Sequence, residues 1–455
     1  MWVVQESFFS AVTTVYWGQC EIKWEIIQDS SWVIAQTGLD TLLKAYFGYA
    51  TQSSRDVDAA KLPDNRLSNQ SIFSSLQRLS GEALSLGQLL YYSRFFEASD
   101  PRDKVFAILG LWKFKRGDRA GQIDIWPDYN KSVLEVYVEA TTAAIQESRT
   151  LDILSLVDGD SSENPHELPS WVPDYTQGPR AYSIVPPLAP NPPQLCLHAN
   201  FEDPTDSKVP SLAVQGIEID VVQDIGPTYS EIMNKFELRA LLNLLFTYAQ
   251  PHYPTDGSPN NAFWRTLIKD TFRGSPADRE AQLAFPTFIM QRIREMRQQV
   301  ENLEEFEEPK LAEELGGMLR ETEIIIRRLA GKCSEEKTIP TLKEIRDMIK
   351  VEETVGSAAE QKLESDRKDI EESFRVAYFR RRLFRTARGY FGIALQSIVP
   401  GDRVWVLAGA RVPFVLKAAD AEEGRWRLVS EAYVHGVMHS DALADTGSLK
   451  RIYLV

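Results

Sequence analysis

Apolar positions change their rhythm several times along the 455 residues. The segment Phe8–Gly18 is apolar and aromatic, and its last residues, Thr13 to Trp17, are β-branched or aromatic, which predicts a strand ended by a turn at Gly18. Over 19–50, Ile22, Ile26, Ile27, Leu39, Leu42, Leu43 and Tyr46 recur at helical spacing and predict helix. The polar, Pro-containing run 51–70 reads as a surface loop, and a second helix is expected over 72–96 through Leu76, Leu79, Leu86, Leu89 and Leu90. At Ser99-Asp100-Pro101 a capping side chain precedes a proline suited to a first helical position. Val105–Leu111 beyond it is apolar nearly all round, the mark of a buried helix. A loop over 113–128 then leads to an amphipathic helix at 130–149 carrying Val133, Val136, Tyr137, Ala140 and Ile145.

Residues 151–230 change character, with frequent Pro, Gly and Asp and a Pro-framed extended segment, Leu168–Tyr175. The alternating run Leu212–Val222 predicts one or two strands, and helix returns at 230–249 and 262–273. From 285, Ile289, Ile293, Met296, Val300, Leu303 and Phe306 recur at three- and four-residue steps. Pro309 interrupts the run, after which Leu311, Leu315, Met318, Thr322, Ile325 and Leu329 repeat it. Each run covers only about two heptads, short of the three to four that mark a coiled coil, so an intramolecular helical hairpin is favoured over a coiled-coil dimer arm. After about 384 the pattern turns to short strands at Asp402–Leu407, Val412–Leu416, Arg425–Val429 and Ala432–Gly436, punctuated by glycines as in a small barrel or sandwich.

These rhythms give an α+β chain in four segments. Residues 1–150 form a helical region, 151–279 a mixed one, 280–375 a charged helical insert, and 376–455 a β-rich C-terminal module. Composition then narrows the class. Hydrophobic residues are 43% and charged residues 25%, which excludes global disorder. Lys and Arg number 51 against 65 Asp and Glu, and the net charge of −14 opposes nucleic-acid or anionic-membrane binding by the chain as a whole. No stretch approaches the roughly 20 apolar residues of a membrane span. Three scattered cysteines, Cys20, Cys196 and Cys333, fit a reducing compartment and a cytoplasmic location, with no disulfide framework or zinc cage.

Candidate chemistry is sparse. His435 and His439 stand four apart, as zinc ligands on a helix do, but Gly436 follows the first and no third ligand is evident, so no metal is expected. Asp158, Asp160 and Glu163 open like a calcium loop, yet Pro169 takes the twelfth position, where such a loop needs its glutamate. Arg380, Arg381, Arg382, Arg385 and Arg388 form the basic-aromatic cluster, which the acids just upstream, Glu364, Asp366, Asp369, Glu371 and Glu372, are expected to neutralise. The tight mix Asp100-Pro101-Arg102-Asp103-Lys104 suits a helix start, with Arg102 also able to clamp a carboxylate or phosphate. No phosphate loop, dinucleotide fingerprint, nucleophile elbow or Cys–His dyad is visible, and no cofactor is implied.

Several blocks together carry more than any one alone. Trp2-Val-Val-Gln5-Glu6 with Trp17-Gly18 resembles the closing stretch of the fungal heterokaryon-incompatibility (HET) domain, with Met1 falling between the arginine that family has and Trp2. Asp100–Leu111, Leu168–Asp174 with Trp171 and Pro173, Pro400-Gly401-Asp402, and Glu431-Ala-Tyr433-Val-His435-Gly436 resemble the segments found downstream in such proteins, in the same order. The opening HET blocks do not occur, so the chain resembles the C-terminal portion of such a protein. The resemblance implies fungal non-self recognition and programmed cell death, with the chain as a regulatory module acting through a protein partner or self-association. The family's distant relation to nicotinamide-dinucleotide-cleaving TIR domains implies, as the alternative, a hydrolase completed by upstream residues, with Glu6 its remote candidate carboxylate.

Overall fold

The β-branched run before Gly18 folds as its pattern predicts, whereas residues 20–23 depart from the helical expectation. In the computed structural model, residues 6, 10, 13–27, 29–30, 84–116, 125–159, 165–178, 181, 183–184, 210–250, 252–255, 257–305, 308–332, 336–352, 358–419, 424–438 and 449–455 are described. Strand β1 (Thr14–Trp17) turns at Gly18, φ 61°, and pairs antiparallel with β2 (Cys20–Lys23). Pairing across a two-residue turn thus takes Ile22 into a strand, and helix follows at 24–27, Ile26 included, and at 29–30. Residues 31–83, and with them the expected loop at 51–70, lie outside the described residues.

Two compact units partition the chain: Met1–Ser183 with His198–Val214 and Tyr453–Val455, and Ile184–Leu197 with Gln215–Ile452. In the first, α1 (Leu86–Ser93) packs on α2 (Asp103–Arg116) and α3 (Val133–Ser148). Ser85 with Gln88 and Ser132 with Glu135 form capping boxes at the starts of α1 and α3, each cap contributing about 0.5–2 kcal/mol. The α2 helix runs five residues beyond Leu111, into the expected loop, and a 3-10 turn spans Asp152–Leu156. Val105–Leu109, Leu111, Trp112, Tyr137, Ala140, Leu154, Trp171 and Tyr175 make the core.

The second unit is organised by β3 (Leu212–Thr228), a single 17-residue strand where the alternation alone ends at Val222. Three register shifts bend it, so that residues 216–221 pair with β8 and residues 222–228 with β6. The helical run expected at 230–249 is two helices, α4 (Tyr229–Asn234) and α5 (Leu238–Phe246), parted by the left-handed Phe236. Likewise α6 (Pro259–Leu267) stops before Lys269, Asp270 and Arg273, all at positive φ, which set up the β4 (Thr271–Phe272) and β5 (Ser275–Pro276) ribbon in place of helix. Then come α7 (Arg279–Ala284), α8 (Pro286–Glu305), α9 (Pro309–Lys332), α10 (Leu342–Glu352) and α11 (Ala358–Tyr378). Within this unit α8 packs on α9 and α11, and the pairs Arg297–Glu323 and Arg292–Glu371 join them.

Strands β6 (Arg381–Thr386), β7 (Phe391–Leu395), β8 (Arg403–Leu407), β9 (Phe414–Ala418), β10 (Arg425–Val434) and β11 (Lys450–Leu454) complete the fold. The sheet order is β11-β10-β7-β6-β3-β8-β9, and further pairings of β10 with β9 and of β11 with β3 close it into a barrel. Arg425–Val434 is one strand where the pattern predicts two, because the polar Ser430 and Glu431 that divide it in the sequence are buried within it. A bulge between Leu428 and Ser430 lets β10 serve β9 with one half and β7 with the other. Gly392 sits where a Cβ would lie 2.7 Å from the Tyr433 carbonyl oxygen, so the β7–β10 contact needs a residue without one.

Candidate functional site

The Asp100–Lys104 block is a knot of bonds at the start of α2. Asp100 Oδ1 accepts from the Arg102 amide at 2.9 Å, the Asx turn that starts the helix two residues later than Pro101 alone suggests. The Arg102 guanidinium grips both Asp100 oxygens at 3.0 and 2.7 Å and donates to the carbonyls of Tyr129 and Lys131 at 2.7 and 3.0 Å. Hydrogen bonds from Arg102 hold the Asp100 carboxyl below the usual carboxylate range. Asp103 accepts from the Tyr129 hydroxyl at 2.6 Å, and the Tyr137 hydroxyl donates to the Pro101 carbonyl at 2.8 Å. Lys104, 4% exposed, donates to the carbonyls of Ser93 and Phe96 at the end of α1. Its ammonium thus meets orphan carbonyls of a helix C-terminus, while burial, aided by Arg94, pushes it down to about 8. Arg102 is accordingly committed inside the chain and holds no phosphate-binding pose.

Trp171, fully buried, donates from Nε1 to the Pro210 carbonyl at 3.2 Å, and the neighbouring Pro173 is buried too. Tyr175 shares a 2.9 Å hydrogen bond with Thr141 and meets Tyr137 edge-on. Asp158 of the calcium-like run pairs with Arg94 at 3.0 Å, and no group of metal-binding side chains is found among the described residues.

The barrel blocks form a second set. Gly401, φ 98°, donates its amide to the Val222 carbonyl, and the Val222 amide donates to the Asp402 carbonyl, which fixes the turn before β8 against β3. The buried Asp402 carboxylate accepts from the Val399 amide at 2.9 Å, and burial raises its pKa. Glu431, 5% exposed at its side chain, accepts from the Ile184 amide at 2.7 Å and from Arg381, 1% exposed, at 2.9 Å. Two residues on, the Tyr433 hydroxyl lies 3.1 Å from His435 Nδ1. The Tyr253 hydroxyl donates to the His435 carbonyl at 3.0 Å and accepts from the Phe391 amide at 2.9 Å. Burial first, then the charge of Arg265, pushes the His435 imidazole down to about 4. Gly436, φ 82°, abuts Thr255, whose Oγ1 would lie 2.1 Å from an added Cβ. His439, Trp2 and Gln5 lie outside the described residues, as does the Trp17 side chain, and Glu6 is exposed.

Three arginines of the cluster pair inside the chain, with different acids from those expected. Arg381 is on Glu431, Arg385 on Asp224 at 2.7 Å, Arg382 within 3.9 Å of Glu231, and the Arg388 amide donates to Asp220 at 2.6 Å. The upstream acids answer other cations: Asp369 takes Arg273, Asp366 takes Lys362, Glu364 and Glu371 take Arg367, and Glu372 takes Arg375. The reason is directional. Arg381, Arg382 and Arg385 of β6 meet acids of β10, α4 and β3, whereas α11 turns its acids to its own neighbouring turns, to α8 and to Arg273. Near the same pair, burial pushes Lys269 down to about 7, with Arg381 adding to the effect and Glu431 opposing it.

Residues 358–455 match the Het-6 β-barrel domain family, a span that takes in α11 as well as the strands. The chain is also 34% identical over 76 residues to heterokaryon incompatibility protein 6, OR allele, of Neurospora crassa. The C-terminal part of the chain is thus similar to fungal proteins of the heterokaryon-incompatibility type. The aligned stretch is 16% of this chain and 11% of that relative, so the chain covers only a small part of the relative's length. No solved structure matches it. Among the described residues no helix is long and apolar enough to cross a membrane.

Sequence reasoning picked out Tyr433, His435 and Gly436 and passed over their neighbours Tyr253, Arg265 and Thr255. Glu431 carried a usable signal, a lone charge in the mostly apolar run Leu428–Val434, which in a buried setting calls for a cation such as Arg381.

Proposed function

We propose that the chain acts in fungal non-self recognition and cell-death signalling as a regulatory and interaction module working in the cytoplasm through protein contacts. The observation that carries this reading is the Het-6 β-barrel match over 358–455, together with a relative named for heterokaryon incompatibility. The helical segment 280–375 is its variable contact surface. Two features support that role: α8 and α9 pack on each other within the chain, and their adjoining ends carry exposed acids and the exposed Leu311. The signature residues then act by positioning, since Arg102, Lys104, Asp402 and His435 hold turns and helix ends in place.

The test is to express the chain in a fungal strain of a different incompatibility background and score death of fused cells by vital-dye uptake. Death that requires the chain is expected. Fused cells as viable as those of the empty-vector strain would refute the reading.

A further inference from the structure

The helix α11 is held in two different ways along its length. Its C-terminal half carries the buried side chains, Ile370, Phe374, Ala377 and Tyr378, none more than 1% exposed. Phe374 lies 4.5 Å from Phe288 of α8 and 4.7 Å from Tyr378, ring centre to ring centre. The Tyr378 hydroxyl donates to the Pro227 carbonyl of β3 at 2.8 Å and accepts from the Leu383 amide of β6 at 2.7 Å. Residues 358–369, the N-terminal half, bury no side chain.

What reaches other elements from that first half is charge. Arg273, at the tip of the β4–β5 ribbon, donates to Asp369 from Nε at 2.8 Å and from Nη2 at 2.5 Å. It also donates to Glu280 of α7 at 2.7 Å and lies 4.0 Å from Asp366. Lys362 pairs with Asp366 at 2.7 Å and reaches Glu280 at 3.5 Å. Among the described residues, these are the hydrogen bonds and ion pairs that join residues 358–369 to other elements. The side chains of Arg273, Glu280 and Lys362 are 41%, 49% and 59% exposed, so water and salt screen them. The backbone beneath Arg273 is strained as well. Arg273 and Gly274, at φ 49° and 77°, are the two left-handed positions of a two-residue hairpin turn, where Asn, Asp or Gly is the ordinary choice for the first. Strain of that kind persists where the residue has a task, and here the guanidinium spans α7 and α11.

We propose that residues 358–369 are an arm, hinged at Ile370, which ion pairs to Arg273 and Glu280 latch down and which opens when those pairs are lost, while residues 370–378 stay in place. Exposed ion pairs are individually weak and fade with ionic strength, whereas the burial of Ile370, Phe374 and Tyr378 does not. Once undocked, about a dozen residues are at the lower limit for a helix without packing, so the arm loses its turns as it leaves. Its departure uncovers Arg273 and Glu280, a cation and an anion side by side, to a charged partner segment. The device does not rest on the recognition reading: a latch that never opens leaves that reading standing, and a failed incompatibility assay leaves the latch standing.

Amide hydrogen exchange of the full chain, read by mass spectrometry, tests this. Raising salt from about 0.05 M to about 0.5 M, where the Debye length shrinks to a few ångström, is expected to speed exchange at 358–369 by at least about fivefold and to leave 370–378 unchanged. Arg273→Gln is expected to exchange fast in the arm already at low salt, to respond little to added salt, and to keep the thermal melt of the wild type. Arg273→Glu combined with Asp369→Arg is expected to exchange more slowly in the arm than Arg273→Glu alone, because the pair is remade with its charges reversed. Exchange at 358–369 that is indifferent to salt, or two halves of α11 that loosen together, overturns the proposal. So does an Arg273→Gln arm that exchanges like the wild type, or a double variant no slower than the single one.

Discussion

The His435 imidazole gives the most direct access to the energetics of the barrel. It is pressed between the Tyr433 hydroxyl and the ring of Tyr253, 5.6 Å away, and its backbone is held by Phe391 and Tyr253. Burial and Arg265 lower its pKa from the ordinary 6.5 to about 4. In the unfolded chain the ring takes up its proton near the ordinary value, and in the folded chain it resists until about pH 4. Between those two values the unfolded state binds more protons, so stability falls as pH falls through the window and is flat for this residue outside it. The full difference corresponds to about 3–4 kcal/mol, at about 1.4 kcal/mol for each tenfold change in proton affinity, of which about 2–3 kcal/mol is lost between pH 7 and pH 4. His435→Gln removes the titration and keeps a polar group beside Tyr433. Urea-unfolding free energies of both proteins across about pH 7 to pH 4 should therefore converge by about 2–3 kcal/mol toward acid, whatever the carboxylates contribute to both. A gap between wild type and variant that stays constant over the window would refute the account of His435 as a buried neutral base.

Other consequences can be measured in the same way. Glu431→Gln leaves Arg381 buried against a neutral amide and should cost about 3–5 kcal/mol in urea unfolding, whereas Arg381→Met combined with Glu431→Leu should recover a large part of that loss. Gly436→Ala meets both a left-handed backbone and Thr255, and should lower the melting temperature more than Gly401→Ala, whose added Cβ meets open space at a similarly positive φ. Arg102→Lys keeps the charge and loses the fork that spans Asp100, Tyr129 and Lys131, so amide hydrogen exchange should rise at 129–131 and at the start of α2. Lys269→Met removes an amine that folding holds well below its ordinary range. Wild type should gain stability relative to this variant as pH rises from about 7 to about 10, since its unfolded chain binds the extra proton in that window.

The sequence was most readable where a single element obeyed one period. Ser132 to Ser148 shows its cap, its apolar stripe and its end, and the structure follows it nearly residue for residue. The errors share a physical cause, long-range pairing that overrides local rhythm. Ile22 suits a helix until Trp17 meets Cys20 across the hairpin, whereas Ile26 just beyond it is helical. Phe236, Lys269 and Asp270 end helices without Gly or Pro, because the backbone must turn left-handed to deliver α5 in one case and the β4–β5 ribbon in the other. The 17-residue β3 crosses Asp224, Gly226 and Pro227, a composition that locally reads as a turn, because two successive partners hold it extended. Of the candidate residues, the blocks around Asp100, Trp171 and His435 were legible, but their partners Tyr129, Pro210 and Tyr253 sit dozens of residues away with no local mark.

A closed sheet of bent strands also explains where the polar residues go. Each register shift in β3 or β10, and each tight corner between strands, leaves backbone amides that the ladder cannot use, and a buried amide left unmet costs about 1–3 kcal/mol. Buried or half-buried side chains take up those amides: Asp220 for Arg388, Asp402 for Val399, Tyr253 for Phe391, Tyr378 for Leu383 and Glu431 for Ile184. These acids and hydroxyls look like catalytic material in a sequence, and the barrel consumes them in holding its own corners. What it does not consume lies outside, as in the exposed acids at the adjoining ends of α8 and α9. The exposed charge, more than the buried signature residues, is therefore where substitution should alter partner choice while leaving the fold intact.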